Sequence, residues 1–502
     1  LFDLMLYDLC RREELLELRL DTTLYHVDKD GDAISRVWAR CDKTETIYRV
    51  SAQTYVDATG DARLGLEAGA AFRTGREARS EFGEELAVEA ADPLSQGCTI
   101  LFTAREHEGE VPFVAPPWAR EITEDDLLFR SIPTGSWEYG YWWIELGGDR
   151  DVIHEGEELR FELLRVVMGV WNWIKNSGQR PKSANWALET VGMIPGKRES
   201  RRLEGAHIQT QQDLVGGWKE RDDGVSIGGW GFDDHPPGGF DDWDQPPFRS
   251  KPIDEPYNIA FEALYSRNVS NLMMAGRNIS NSHVAFSSTR VMATCAGVGQ
   301  AVGTAAALCT EHDLTPHALR RTRMAELQQR LLRDDQSIRG VVNEDPLDLA
   351  RGARVHATIE APGAPAQVID GQVRDVPGQW KHRWGALLEG REATLTLEWP
   401  EPIELREVQV TFDTGFHREL TLSAQHARSQ KMVRAPQPET VRDYVIAAEV
   451  DGEQRVLAAV EGNYQRLRRH RFEPVRTRRL ALTVQATNGS KEARVFEVRC
   501  YG

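Results

Sequence analysis

Along residues 271–308 the pattern of hydrophobic positions changes character twice. Leu272 to Ala275 read as a short apolar strand, Gly276 opens a polar loop, and a long helix of small residues follows. Ala293, Ala296, Gly297, Gly299, Ala301, Gly303 and Ala305 leave that helix almost without side-chain bulk. Small residues let a backbone or a flat ligand approach closely. A helix start also points free N–H groups and a positive dipole end outward. The pattern suits a tightly packed core helix or one wall of a dinucleotide or flavin site. Upstream, Leu4, Met5, Leu9 and Leu15/Leu16 give residues 1–17 helical spacing. Residues 16–30, 32–41 and 45–61 alternate with period two, and Asp30-Gly31 is a hairpin signal, so a three-stranded meander is expected. It runs into a short apolar strand, Tyr55 to Ala58, and then into Thr59-Gly60-Asp61. Gly60 permits a sharp turn at a strand end, where α/β folds place their ligands. A helix is expected from Leu64 to Ala70.

The middle of the chain is less regular. Arg73, Arg76, Glu77 and Arg79 read as a solvated face, with Gly75-Arg76-Glu77 over a ligand as the alternative. Trp137, Tyr139, Tyr141 and Trp143 alternate through residues 136–146, which predicts an aromatic strand serving the core rather than a substrate platform. Residues 155–176 carry Leu159, Leu163, Val166, Val170 and Trp173 at helical spacing. In 192–214, Arg198, Arg201 and Arg202 stand close together, and guanidinium groups bind carboxylates or phosphates bidentately. Structural ion pairing is the competing reading. Residues 216–256 are rich in Gly, Pro, Asp and Trp without a period, which predicts a long loop acting as a lid or binding surface. Its His235 and aspartates lack EF-hand or zincin spacing, so no metal is expected. Residues 323–341 form an amphipathic helix. A boundary is expected at Asn343 to Asp348, dividing the chain into 1–342 and 343–502. Beyond it, short alternating segments (TLTLEWP, REVQVTF, LTLSAQ, YVIAAEV, RVLAAVEG, RRLALTVQA, ARVFEVRCYG) predict an antiparallel β-sandwich.

Composition narrows the function classes. The 502 residues suffice for two or three domains, and 40% hydrophobic with 28% charged residues is an ordinary globular balance. A net charge of −17 argues against nucleic acid and against an anionic membrane surface as partners. No apolar run reaches about 18 residues, so no membrane span is expected. The six cysteines show no CxxC or zinc spacing. Reduced thiols in a cytoplasmic setting are expected, with a periplasmic or secreted location left open. The composition leaves the oligomeric state undetermined.

Two stretches, YVDATGDARLGLEAGAAFRTGREARSEFGE and GRNISNSHVAFSSTRVMATCAGVGQAVGTAAAL, resemble the FAD-dependent oxidoreductases of glutathione-reductase-like fold, with GKRESRR between them in family order. That family is distantly similar to fumarate reductase and succinate dehydrogenase flavoproteins. The resemblance covers residues 1 to about 340. It implies an α/β FAD-binding domain and FAD as cofactor. It also places a strand and a GxGxxG loop before Leu1, so the chain is expected to lack most of its first βαβ unit. Ala58, Thr59, Gly60 and Asp61 match the second dinucleotide-contacting turn. Gly276, Arg277 and Asn278 match a loop near the flavin or its ribityl chain. Gly297, Val298, Gly299 and Gln300 match a helix start facing the flavin's pyrimidine edge, where a dipole would stabilise the reduced anion. Between these motifs His283 is expected to donate or accept a proton, with Arg290 and Arg198 as anion-binding catalytic groups; structural hydrogen bonding is the alternative for each. The C-terminal DLARGARVHATIEAPGAPAQVIDG, with VQVTFDT, is similar to discoidin-like, galactose-binding-like jelly-roll domains. The implied activity is hydride transfer between flavin and a small organic substrate, carbohydrate-derived compounds among the candidates. The rival reading is a carbohydrate-binding or polysaccharide-processing protein with the flavin domain as scaffold. Exposure of Trp380 and Trp384 would favour sugar binding, and burial would favour a structural role.

Overall fold

A computed structural model describes residues 2–359, 362–375, 382–418 and 429–502. The meander forms as its alternation predicts: Thr22–Asp30 pairs antiparallel with Ala33–Cys41, which pairs with Thr46–Val50. Asp30 stands opposite Ala33 across a two-residue turn in which Gly31 takes a φ of 61°. The fourth segment leaves this sheet. Tyr55–Asp57 pairs in parallel with Leu272–Met274, Tyr55 opposite Leu272 and Asp57 opposite Met274. Parallel pairing aligns strand ends, so loops more than two hundred residues apart in sequence lie side by side. The N-terminal helix is Phe2–Arg12, shorter than expected, and none of its residues is buried.

The 136–146 segment keeps the alternation without becoming a continuous strand. Trp137, Tyr141 and Trp143 are buried, but only Glu145–Leu146 has strand pairing, with Cys98–Thr99. Elsewhere the segment forms an isolated antiparallel bridge between Tyr139 and Thr103. The aromatic side chains fill a core instead, Tyr141 stacking on Trp143 at 4.8 Å and meeting Phe102 edge-on at 5.8 Å. The helix Gly156–Asn176 packs Leu163, Val167, Val170 and Trp171 into the same core.

Residues 216–256 are more ordered than their composition suggests. Gly224–Gly228 pairs with Tyr257–Ala260, and Phe232–Asp234 pairs with Arg249–Lys251. The small-residue stretch contains two helices. Ser282 caps His283–Thr289 by accepting from the Ala285 N–H, and Met292–His312 follows after Arg290 and Val291. The long helix therefore starts at Met292, and Gly297, Val298, Gly299 and Gln300 sit in its second and third turns rather than at its start. Met292–His312 is long and apolar enough to meet the length-and-composition measure of a membrane-crossing helix, a measure that core helices also meet. Its Val298, Ala301, Val302, Ala305 and Leu308 face is buried in the core of the α/β part, the placement of a core helix.

The C-terminal part is one antiparallel sheet folded over on itself into two layers. Its two longest strands, Ala393–Phe412 and Leu467–Thr487, run through both layers. The first half of Ala393–Phe412 lies between Arg354–Ala357 and Leu467–Thr487, whereas its second half also pairs with Glu492–Tyr501. Register breaks between Glu398 and Ile403 and between Leu405 and Glu407 allow the bend. Leu397, Leu405, Val410, Tyr444, Leu482 and Val495 share the core between the layers. Trp384 is fully buried and donates its indole N–H to the Ile359 carbonyl at 2.8 Å, a structural role. Trp380 and the expected strand LTLSAQ lie outside the described residues.

The sandwich docks on the end of the helix Met324–Arg333. The unsatisfied C-terminal carbonyls of that helix receive Arg499 Nη2 at Leu332 (3.1 Å) and Gln409 Nε2 at Arg333 (2.9 Å). Glu407 pairs with Arg333 at 3.0 Å, and Arg466 with Asp335 at 2.7 Å. Leu397, in the sandwich core, is expected to cost about 2–5 kcal/mol when replaced by alanine. Chemical denaturation should show the sandwich's transition moving while that of the α/β part stays in place.

Candidate functional site

The turn after Tyr55–Asp57 is built by one buried carboxylate. Asp57 Oδ1 accepts from the Thr59 N–H (2.9 Å) and Oγ1 (2.7 Å), and Oδ2 accepts from the Gly65 N–H (2.8 Å). Its backbone carbonyl takes the Asn278 side-chain amide at 3.2 Å, which ties in the neighbouring loop. Gly60 has a φ of 77° and its α-carbon lies against the Arg277 guanidinium, so a side chain there would be strained and would collide. Gly276 has a φ of 96°. Asp61 accepts from Lys197 (2.6 Å), Arg277 (2.7 Å) and Ser200 (2.8 Å). Burial opposes its charge, but the Lys197 and Ser200 hydrogen bonds and the Arg277 charge hold its pKa below the usual carboxylate range.

The segment 197–202 connects this turn to a second cluster. Lys197 and Ser200 face Asp61, while Arg198, Glu199 and Arg202 reach the other way. Glu199 is fully buried and receives the Gln96 N–H at 3.0 Å, the His283 Nδ1 at 3.0 Å and the Arg202 guanidinium. Arg202 is also buried, donating to the carbonyls of Gly75 (2.8 Å) and Asn281 (3.1 Å) and to Glu77 (2.8 Å). Glu77 in turn accepts the His283 N–H at 2.8 Å. On its outer side His283 Nε2 meets Asp234 Oδ1 at 3.1 Å.

A parallel arrangement stands beside it. His235 lies between Glu145 (2.7 Å) and Asp233 (3.4 Å), Arg198 pairs with Glu145 at 3.2 Å, and Arg290 Nη2 bonds Asp233 at 3.2 Å. His283, Arg290 and Arg198 are thus brought together, joined by the Asp233-Asp234-His235 triplet. That triplet, Glu145 and Glu199 are the members that sequence reasoning did not select. An Asp-Asp-His run inside a lid-like segment was the available signal, and it was weighed only as a metal ligand set. No group of three or more His, Cys, Asp or Glu side chains arranged to hold a metal occurs among the described residues.

Charge explains the cluster's protonation. Burial disfavours the His283 imidazolium, but Glu199 and Asp234 outweigh it and raise its pKa to about 10. His235 is likewise raised against its burial by Asp233 and Glu145. Burial and the neighbouring Arg198 push Arg290 down. At neutral pH His283 is therefore an imidazolium, able to donate. Asp234 is the most open group touching it, with 41% of its side chain exposed. The half-exposed Trp142 lies edge-on to His235 at 5.6 Å and to Phe248 at 5.2 Å, forming an aromatic rim.

With this geometry in place the comparisons can be read. The model of the family described as FAD dependent oxidoreductase matches residues 1–331. The chain belongs to that family. No curated protein matches this family member. Solved structures similar to part of it include CpGH89CBM32-5 from Clostridium perfringens, at 16% identity over 31% of this chain and 99% of that one with a TM-score of 0.24. Another is the family 32 carbohydrate-binding module of Streptococcus pneumoniae EndoD, at 15% identity, 31% and 98% coverage and a TM-score of 0.24. A third is chitosan-binding module 1 from the chitosanase/glucanase of Paenibacillus sp. IK-5, at 12% identity, 31% and 98% coverage and a TM-score of 0.23.

The family binds FAD, and two observations bear on whether the residues present suit it. Arg277 Nε, Asn278 Oδ1 and Ser280 Oγ, all on the Gly276 loop, are buried without a hydrogen-bond partner. Along Met292–His312, Ala293, Ala296, Gly299 and Gly303 form an exposed, nearly flat face, and Cβ atoms at Gly299 and Gly303 would meet nothing within 4 Å. Arg277 is also close enough to Cys295, in the first turn of that helix, to act on its thiol. These residues fit the cofactor: the small-residue face would suit a flat ring, and the unpartnered polar atoms of the Gly276 loop would suit its polar groups.

Two outcomes follow. Gly299→Leu should leave the melting temperature within about 2 °C, because the position is open, while lowering FAD retention measured by fluorescence quenching. The second concerns pH. His283 has a folded pKa above its unfolded value of about 6.5, so its stabilisation is full below pH 6.5 and is lost as pH rises toward 10. Thermal melts should show stability falling across that window, with a shallower fall in His283→Gln.

Proposed function

We propose that this family member transfers a hydride between flavin and a small organic substrate, carbohydrate-derived compounds among the candidates, with His283 supplying the proton. The observation that carries this reading is the buried Glu199–His283–Asp234 alignment, continuous through Lys197 and Ser200 with the Asp61 turn. When bound, FAD supplies the hydride chemistry, and the protein supplies position and electrostatics. Glu199 and Glu77 fix the ring and its backbone from the inside. Asp234 holds the Nε2 side, the side nearest solvent, where an incoming oxygen could take the proton. Arg290 keeps a buried Nε without a partner and so has donor capacity for an anionic substituent. The aromatic rim of Trp142 and Phe248 limits water at the cluster.

The reading is tested on the full chain incubated with FAD, using bleaching of the flavin's visible absorbance by a panel of aldoses, uronates and their reduced forms. His283→Gln should lower turnover about 10²- to 10⁴-fold, the size of a lost general acid, with FAD affinity unchanged. Parallel loss of FAD affinity would assign His283 a structural role. A folded chain that takes up no FAD would remove the redox reading.

A further inference from the structure

One sizeable cavity is lined by none of the residues around His283. A cleft of about 910 Å³ opens where the sandwich meets the α/β part, within the range of about 300–1,000 Å³ common for small-molecule sites. One wall carries Trp218, Ser337 and Arg339. The other carries Arg374, Phe416 and Arg494.

One guanidinium here lacks a carboxylate partner among the described residues, whereas Arg339, for example, has Glu255 at 3.0 Å. Arg374 and Arg466 both lie over the Phe416 ring, at 4.8 and 4.6 Å. Asp335, the carboxylate whose charge acts on Arg374, is engaged by Arg466 at 2.7 Å. Arg383 has Asp375, and Arg494 has Asp413 and Glu492. Arg374 has no carboxylate partner among the described residues; its hydrogen bond is to the Ser337 hydroxyl at 3.4 Å. Burial and the Arg466 charge push its pKa down, with the Asp335 charge opposing them. Arg339 Nη1 and Arg494 Nε are buried without a hydrogen-bond partner, although both guanidinium groups have carboxylates at their other nitrogens. Guanidinium groups keep their charge even when buried, so the deficit is met by an anion rather than by deprotonation.

We propose that this cleft binds a saccharide bearing a carboxylate, with Arg374 as the carboxylate ligand. A planar fork held against an aromatic ring suits bidentate pairing with a planar carboxylate. Phe416 is half exposed, so the part of its ring not covered by the two guanidinium groups can meet the C–H groups of a sugar, while Ser337 and Gln372 offer partners for sugar hydroxyls. The cleft is large enough for more than one sugar ring. This binding needs neither FAD nor His283, so its failure leaves the redox proposal untouched.

The test is isothermal titration of the full chain with digalacturonate, its methyl ester and inorganic phosphate. Digalacturonate should bind, with the uncharged ester and phosphate each at least about tenfold weaker. Arg374→Gln should weaken digalacturonate about tenfold or more, as for a lost charge-assisted contact, and leave the ester unaffected. Should Arg374→Gln fail to fold, Ser337→Trp fills the cleft from the opposite wall and should abolish binding. Equal binding of acid and ester, phosphate binding as tightly as digalacturonate, no binding at all, or wild-type affinity in both variants would each overturn the proposal.

Discussion

Arg202 has no exposed surface and directs its nitrogens to two carboxylates, Glu77 and Glu199, and two backbone carbonyls, those of Gly75 and Asn281. A guanidinium cannot shed its charge on burial, so its acids have to be buried with it. Those acids are the ones that hold His283, Glu199 at the ring and Glu77 at the backbone N–H. Removing one partner of such a pair leaves an uncompensated buried charge, typically a loss of about 3–5 kcal/mol. The position of the histidine is thus a consequence of an ion network laid down beneath it. The same segment, residues 197–202, sends Lys197 and Ser200 to Asp61, so the cluster and the strand-end turn are set by one short run of chain.

This shared origin accounts for the asymmetry of the two histidines' surroundings. His283 has an inner carboxylate locked by Arg202 and an outer one, Asp234, that is open to solvent. His235 has Glu145, which is held by Arg198 and the Gly97 N–H, and Asp233, which is shared with Arg290. Both outer acids come from Phe232–Asp234, held by its pairing with Arg249–Lys251. Movement of that hairpin would relax both histidines at once, and the inner carboxylates would stay where they are.

Much of the fold was legible in the sequence where burial follows a simple period. The meander, the Gly156–Asn176 helix and most sandwich strands came from alternation or helical spacing. What escaped was governed by pairing rather than pattern. Trp137 to Trp143 alternate like a strand, yet they find almost no ladder partner and fill a core. Leu467 to Thr477 form half of a long strand, but their arginines and Pro474 hide the period. The helix start near Met292 was misplaced because glycines at 297 and 299 were read as an opening, whereas Arg290 and Val291 make the break. At the site, His283, Arg290 and Arg198 could be picked out as chemically able residues. Their partners could not, because Glu145 lay within an aromatic run, Glu199 among arginines, and Asp233 and Asp234 in a stretch whose short strands carry no period.

The net charge of −17 gains meaning from where the cations are. Arg130, Arg202 and Arg499 are almost wholly buried. A surface surplus of acid repels polyanions at long range, an effect that salt weakens. Guanidinium groups held inside clefts act at contact distance, where screening is small. An anion small enough to enter therefore meets attraction only after passing the repelling surface. The same arrangement constrains the interior. Glu199, Glu77 and Glu497 are buried beside Arg202 and Arg499, each acid following an arginine already there. Arg130 and Arg374 depart from this rule, since neither has a carboxylate ion-pair partner among the described residues; Arg130 is enclosed and donates to the Gly239 and Asp242 carbonyls, whereas Arg374 lines an open cleft. A guanidinium beside open volume can take its counter-ion from solution, which is the physical difference between a structural arginine and one available to a ligand.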